Sequence, residues 1–461
     1  VISYRPELMW VDGAFRADYA LDVDAEGAIV AVGPAAESAA DGEVRRLTGQ
    51  ALLPGMIDVH SHSFQRALRG RAESRRRSGP DFWSWRNIMY RCALALTPEE
   101  IYDVARMAFL EMALAGITAV GEFHYVHRTP QGEPYDDANL LAKQVIRAAE
   151  SVGIRIALLY CAYARSGFEL PQDAGQIRFL QTEVQSFLRN AGELQAAIEA
   201  MPATVSFGIA PHSIRAVPKP YLEELAAWTA ERRLPLHMHV AEQPAEIDAC
   251  RAEYGVAPFE LLDGMGVLTP DFTAIHAIHL QPGEVERMGA GAITVGACPT
   301  TERNLGDGIL CADTLIDAGV SIAFGTDSHT QTDGFENARE LESNLRLERL
   351  ERAVLDGRGG SMPALLFDFA TRAGARSLHL ETGSLDAGRP ADFFTVALSD
   401  ASIAGSLPEE LMTNLVLSSS PRAVRDVVVA GRPVVLDGQH AEQAEIVDAF
   451  ERVQRRLGAE L

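Results

Sequence analysis

Eight short apolar, β-branched runs recur through the middle of this chain, each separated from the next by a stretch that is mostly helical in its periodicity. They lie at 56–60, 117–122, 154–160, 205–211, 235–240, 273–278, 293–298 and 321–326. A strand–helix alternation repeated eight times predicts an α/β fold, a (β/α)8 TIM-like barrel. The competing arrangement is a doubly wound open sheet, whose early strands would be followed by a Gly-x-Gly-x-x-Gly turn, and none follows here. One helix start is explicit: Thr97-Pro98-Glu99-Glu100 offers an N-cap, a proline at the first helical position and a glutamate at the third.

The flanks read differently. Leu8 to Val32 alternates short apolar runs with turn signals such as Asp12-Gly13 and Glu26-Gly27, a β-meander pattern. Ala391–Ala397 and Val427–Val435 look like more of the same. The expectation is a small β-sandwich domain formed from both termini, residues 1–52 with 380–440, around a barrel at 53–379. A C-terminal helix is expected within 441–461.

Composition narrows the function. The chain has 41 Lys and Arg against 64 Asp and Glu, a net charge of −23, which argues against general binding to nucleic acid or to an anionic membrane. No apolar run approaches the roughly 20 residues of a membrane span, and the opening thirty residues carry no signal-like apolar core. Cys92, Cys161, Cys250, Cys298 and Cys311 are scattered and form no Cys-x-x-Cys pair. That argues against a cysteine zinc site or disulfide framework and makes the cytoplasm the expected setting.

On a barrel the chemistry belongs at the C-terminal ends of the strands. The first run ends Asp58-Val-His60-Ser-His62, where alternate residues share a face, so His60 and His62 can converge while Ser61 points away. The fifth ends with His239, followed three residues later by Glu242; the sixth with His276; the eighth with Asp327. One such residue is ordinarily a hydrogen-bonded core histidine or a capping acid, but four strand ends repeat the coincidence. His60, His62, His239 and Asp327 supply three nitrogens and a carboxylate, a set for Zn2+ or Fe2+ that leaves a position for water. His276 and Glu242 remain as candidate proton carriers.

Taken in order, Pro54-Gly-Met-Ile-Asp-Val-His-Ser-His62, the His239-x-x-Glu242 pair, His276 and Gly325-Thr-Asp327 resemble the amidohydrolase superfamily over essentially the whole chain. Gly383-Ser-Leu-Asp-Ala-Gly-Arg-Pro-Ala-Asp392 is similar to that superfamily's return to its sandwich. Members with two metals bridge them through a carboxylated lysine or a glutamate. The two lysines here, Lys143 and Lys219, lie in a helical stretch and between two prolines. One divalent metal per chain is therefore expected, Zn2+ first and Fe2+ as the alternative. The His-x-x-Glu pair resembles the deaminase branch. That resemblance implies that Asp327 takes a proton from the attacking water, Glu242 protonates the substrate nitrogen, and His276 supports the hydroxide and the tetrahedral intermediate.

Within that branch, HSHSFQRALRG at 60–70, FWSWR at 82–86, EFHY at 122–125 and PHSIRAV at 211–217 resemble the formimidoylglutamate deiminases. The family pattern sets Gln65, Arg86, Tyr125, His212 and Arg215 against the glutamate part of a small dianionic substrate, with two arginines for two carboxylates. It implies hydrolysis of N-formimidoyl-L-glutamate to N-formyl-L-glutamate and ammonia, a step of histidine degradation. A related deaminase for a cyclic amidine such as guanine or a triazine is the alternative, but Arg86 and Arg215 would then face a flat neutral ring. A non-catalytic barrel scaffold is a third reading, and such scaffolds usually shed their metal ligands.

Other features have plainer readings. Of the six arginines from Arg66 to Arg77, Arg75, Arg76 and Arg77 read as a solvated loop, with a positive rim as the alternative. Trp83 and Trp85 fit either a lid or loop packing, and the long loop between Gly70 and Thr97 could move as a lid. His124, His127 and His329 fit supporting roles; His237 packs deeper than His239, and His279 faces away from the metal. Gly325 permits either a close backbone approach or a tight turn. A homodimer is expected, with the terminal helix as one surface unless that helix packs on its own barrel.

Overall fold

The structure is a computed structural model describing residues 1–38, 42–73 and 82–460. Eight parallel strands follow one another in chain order: β6 (Met56–Ser61), β7 (Ile117–His124), β8 (Arg155–Ala162), β9 (Val205–Pro211), β10 (Leu236–Val240), β11 (Phe272–His276), β12 (Thr294–Ala297) and β13 (Ser321–Phe324). All are buried along almost their full length, as strands covered on both faces must be. The ring closes between its first and last members: Asp327 N–H donates to His60 O at 2.8 Å, and His62 N–H donates to Asp327 O at 3.0 Å. Gly325 makes that seam possible. A Cβ there would fall 2.7 Å from His60 Cβ and 2.9 Å from His60 O, so close approach rather than a tight turn accounts for this glycine.

The runs expected from sequence agree with the strands to within two residues at either end. The sixth stops at His276 because His276 (φ 73°) and Ala277 (φ 53°) both enter the left-handed region and end the extended backbone.

The second sheet is built from both ends of the chain. Its strands are β1 (Ile2–Val11), β2 (Ala14–Ala17), β3 (Tyr19–Val23), β4 (Ile29–Pro34), β5 (Glu43–Pro54), β14 (Phe393–Ala397), β15 (Val424–Val429), β16 (Arg432–Leu436) and β17 (Gln439–His440). Its main path runs β17-β16-β15-β14-β5-β1-β3-β4, with β2 against β1. This mixed sheet, separate from the barrel, is the small sandwich domain. It joins the closed end of the barrel through Arg155, at the start of β8, which grips Asp392 at 2.9 and 3.1 Å and also donates to Ala203 O.

Between the two sheets, the helix Pro98–Leu114 starts as the sequence implies, with Thr97 and Glu100 forming a capping box. The stretch expected to be a long loop between Gly70 and Thr97 instead contains a helix, Phe82–Ala95. No glycine or proline interrupts those fourteen residues, and Arg178 and Arg456 cap its C-terminal carbonyls: Arg178 at Ala93 O (2.5 Å) and Leu96 O (2.7 Å), Arg456 at Ala95 O (2.9 Å). Arg66 and Arg69 pair with Glu111, and Arg71 binds Gln454, so these three arginines tie elements together. Arg75, Arg76, Arg77 and the side chain of Trp83 lie outside the described residues.

The terminal helix, Gln443–Glu460, turns Ile446, Phe450, Val453 and Leu457 inward onto the chain's own barrel. Arg106 bonds Glu442 and Glu445 at 2.8 and 2.7 Å, and Arg456 bonds Glu100. That face is therefore occupied within the chain. Among the described residues no helix is long and apolar enough to cross a membrane.

Candidate active site

His60 lies on β6 and His62 just beyond it; His239 lies on β10, and Asp327 sits three residues past β13. His239 Nε2 stands 3.2 Å from His60 Nε2 and 3.3 Å from His62 Nε2, while Asp327 Oδ1 is 3.3 Å from the Nε2 of both His60 and His62. The four atoms all lie within 4.8 Å of one another. Tautomers decide what this means. His62 Nδ1 donates to Phe123 O at 2.9 Å and His239 Nδ1 to His212 O at 2.8 Å, so their Nε2 atoms carry bare lone pairs. Two lone pairs facing each other at 3.3 Å cannot be a hydrogen bond. Donors about 2.0–2.1 Å from a tetrahedral cation are separated by about 3.3 Å, which fits the observed spacing. Burial holds His60, His62 and His239 below their ordinary pKa, which keeps them neutral as ligands must be. The site fits a divalent ion.

Beside this group lie His276 and Glu242. His276 Nε2 is 3.9 Å from Glu242 Oε1 and 3.9 Å from Asp327 Oδ2, a spacing that leaves room for reacting atoms among the three groups. Asp327 thus turns one oxygen to the histidines and the other to His276. Burial opposes charge on His276, but its bond to Glu302 and the nearby Glu242 and Asp327 push it up to about 10. Burial raises the Glu242 carboxyl, against the pull of His276 and Arg215.

The pocket above the ion group is lined by His62, His239, Glu242, His276 and Asp327 below, and by Gln65, Arg86, Tyr125, His212 and Arg215 around its wall. All five residues expected at the substrate are therefore brought together; His60, wholly buried, sits beneath. Gln65 Nε2 donates to Tyr125 OH at 2.8 Å. His212 serves twice, its carbonyl orienting His239 and its ring facing the pocket 4.5 Å from the Tyr163 ring centre. Arg86 projects from the helix Phe82–Ala95 and donates to Tyr90 OH. Arg215 lies between two acids, 3.9 Å from Glu242 and 4.0 Å from Glu246. Burial lifts Glu246 to about 7, with Arg215 pulling the other way.

The remaining histidines stand apart, as their spacing implies. His237 Nε2 bonds Ser377 O, His279 Nε2 bonds Asp307 O, and His127 Nε2 bonds Cys161 O. His329 Nε2 meets Ser61 Oγ at 2.9 Å, and that hydroxyl also donates to Glu122 at 2.5 Å. Glu122 further accepts from Ser63 N–H and Oγ–H, pinning the turn that presents His62. Sequence reasoning overlooked the supporting role of Glu122, although it stands in the quoted EFHY motif. It also overlooked Glu302, Glu246, and the Tyr90–Tyr163–Gln176 cluster, in which Gln176 Nε2 donates to Tyr90 OH at 2.5 Å and Tyr163 OH at 3.0 Å. Their only signal is proximity in space, apart from the turn-spaced Arg86 and Tyr90.

Fold and site together define a metal-dependent hydrolase acting on carbon–nitrogen bonds. Residues 51–434 match the amidohydrolase family, and the chain belongs to it. It is 38% identical over 439 residues to the formimidoylglutamate deiminase of Pseudomonas aeruginosa, covering 95% of each chain. The 8-oxoguanine deaminase of the same organism is 28% identical over 392 residues, covering 84% of this chain and 82% of that protein. Among solved structures, an amidohydrolase from Brucella melitensis superposes with a TM-score of 0.89 at 30% identity, over 99% of this chain and 100% of that one. An adenosine deaminase from Xanthomonas campestris, solved with bound zinc, shares the fold with a TM-score of 0.85 at 23% identity, over 99% and 98% of the two chains.

Proposed function

We propose that this protein hydrolyses N-formimidoyl-L-glutamate: the amidine R–NH–CH=NH and water give the formamide R–NH–CHO and ammonia. The observation that carries the reading is one pocket with an ion-binding group at its floor and two arginines, Arg86 and Arg215, on its wall. The nearby relative from Pseudomonas aeruginosa bears the name of that activity. Two guanidinium groups suit two carboxylates, whereas a flat neutral base offers no anionic group to either.

Three imidazoles and a carboxylate favour Zn2+, with one ion per chain. Bound by His60, His62, His239 and Asp327, such an ion supplies the Lewis acidity that makes water nucleophilic near neutral pH. Asp327 Oδ2 is placed to hold the proton that the attacking water gives up. His276 Nε2, 3.9 Å from it, donates toward the oxygen of the tetrahedral intermediate. Glu242, with its carboxyl raised by burial, protonates the departing nitrogen. Arg86 and Arg215 take the substrate carboxylates, while Gln65, Tyr125 and His212 orient the chain between them. We further propose that the enzyme works in the cytoplasm as a homodimer, without a nucleic-acid or membrane partner.

Ammonia release from N-formimidoyl-L-glutamate by zinc-loaded protein tests the reading, with guanine and N-formimidoyl-L-aspartate alongside. Turnover confined to the glutamate compound is expected. Turnover of guanine alone would overturn the substrate assignment and keep the deaminase chemistry.

A further inference from the structure

The segment after β12 carries no residue that sequence spacing marks for chemistry, yet it holds several of the groups around the reacting centre. Glu302, on the helix Pro299–Leu305, is 3% exposed. Its Oε1 accepts from His276 Nδ1–H at 3.2 Å and from Cys298 N–H at 2.9 Å. One helical turn of the same segment therefore fixes the acceptor before it meets the imidazole. Thr301 donates to Thr326 O at 3.1 Å, anchoring the residue before Asp327, and Asp307 accepts from Gln243, the neighbour of Glu242.

His276 needs such a hold. Its φ of 73° and the 53° of Ala277 put two successive side-chain-bearing residues in the left-handed region, so the backbone there is costly and does not lock the ring by itself. With Nδ1 engaged by Glu302, Nε2 faces the gap shared with Glu242 and Asp327 at 3.9 Å. Rotation of the ring would break the bond to Glu302 and lose that alignment together.

We infer that Glu302 is a positioning residue for the reaction: it fixes the ring of His276 and keeps the Nδ1 proton in place, so that Nε2 points at the reacting atoms. The inference rests on the proposed use of His276 at the substrate carbon. Glu302→Ala and Glu302→Gln separate it from a merely structural role, because glutamine keeps an oxygen acceptor where alanine has none. Two readouts are taken: kcat and KM for N-formimidoyl-L-glutamate per bound zinc, and the downfield imidazole N–H resonance of zinc-loaded protein carrying isotope-labelled histidine.

Glu302→Ala is expected to lower kcat about 10²-fold with KM within a few-fold, to keep its zinc, and to lose one N–H resonance. Glu302→Gln is expected to stay within about tenfold of the parent and to keep that resonance. A wild-type kcat per zinc in Glu302→Ala would overturn the inference. So would a Gln variant as poor as the Ala variant, or zinc lost in proportion to activity. Failure of the parent to turn over this substrate would instead sink the substrate reading, and the resonance comparison would still decide the role of Glu302.

Discussion

Asp392 at the closed end of the barrel and Glu242 at the open end are both buried carboxylates facing arginine, and they are used in opposite ways. Asp392 is saturated: it accepts from Arg155 Nε and a terminal guanidinium nitrogen of the same side chain, from Thr382 Oγ1 at 2.9 Å and from Ala430 N–H at 2.6 Å. Glu242 meets Arg215 and His276 at 3.9 Å, beyond hydrogen-bond reach. At the closed end every lone pair is engaged in joining the small sheet to the barrel. At the open end the acid and the guanidinium stand 3.9 Å apart at the pocket wall, a spacing that suits an acid meant to give up a proton.

Removing the ion should have the largest effect on turnover. Chelation is expected to bring ammonia release to the background rate, with recovery on adding zinc in step with measured zinc content. Glu242→Gln comes next, because it removes the proton donor while preserving shape; kcat should fall about 10²–10⁴-fold with the zinc retained. Arg215→Met then tests the anion-binding half of the comparison. It should cost about 2–5 kcal/mol of kcat/KM, appearing mainly in KM, and normal kinetics in this variant would break the two-arginine account.

A smaller effect is expected from pH. Glu246 sits 4.0 Å from Arg215 with its carboxyl held up to about 7, so below that pH it is neutral and competes less for the guanidinium. KM should therefore be roughly threefold lower near pH 6 than near pH 8, and Glu246→Gln should flatten the difference. The smallest effect on kcat belongs to Asp392→Ala. Leaving Arg155 buried and unpaired should cost about 3–5 kcal/mol of stability in denaturant melts, with kcat per folded enzyme unchanged.

The ion group was legible in sequence because strand geometry alone carries it: alternation puts His60 and His62 on one face, and a barrel brings strand ends to a common rim. The wall of the pocket was harder. Arg86 and Arg215 could be assigned through family motifs, but the helix that presents Arg86 was read as loop. The Arg75-Arg-Arg-Ser-Gly-Pro80 run just before it carries turn signals, and its cap comes from Arg178 and Arg456, distant in sequence. Glu302 was invisible for a related reason: no periodicity links position 302 to position 276, and only the adjacency of β11 and β12 brings them together.

The terminal helix has a consequence beyond packing. Through Arg456 it holds both Glu100 and the last turn of the helix that carries Arg86. A proteolytic clip between Gln454 and Arg456 removes that hold while leaving Arg178 on the same helix end, and the expected outcome is a raised KM with kcat and zinc content unchanged. Such a result would make the terminal helix a contributor to recognition although none of its described residues lines the pocket.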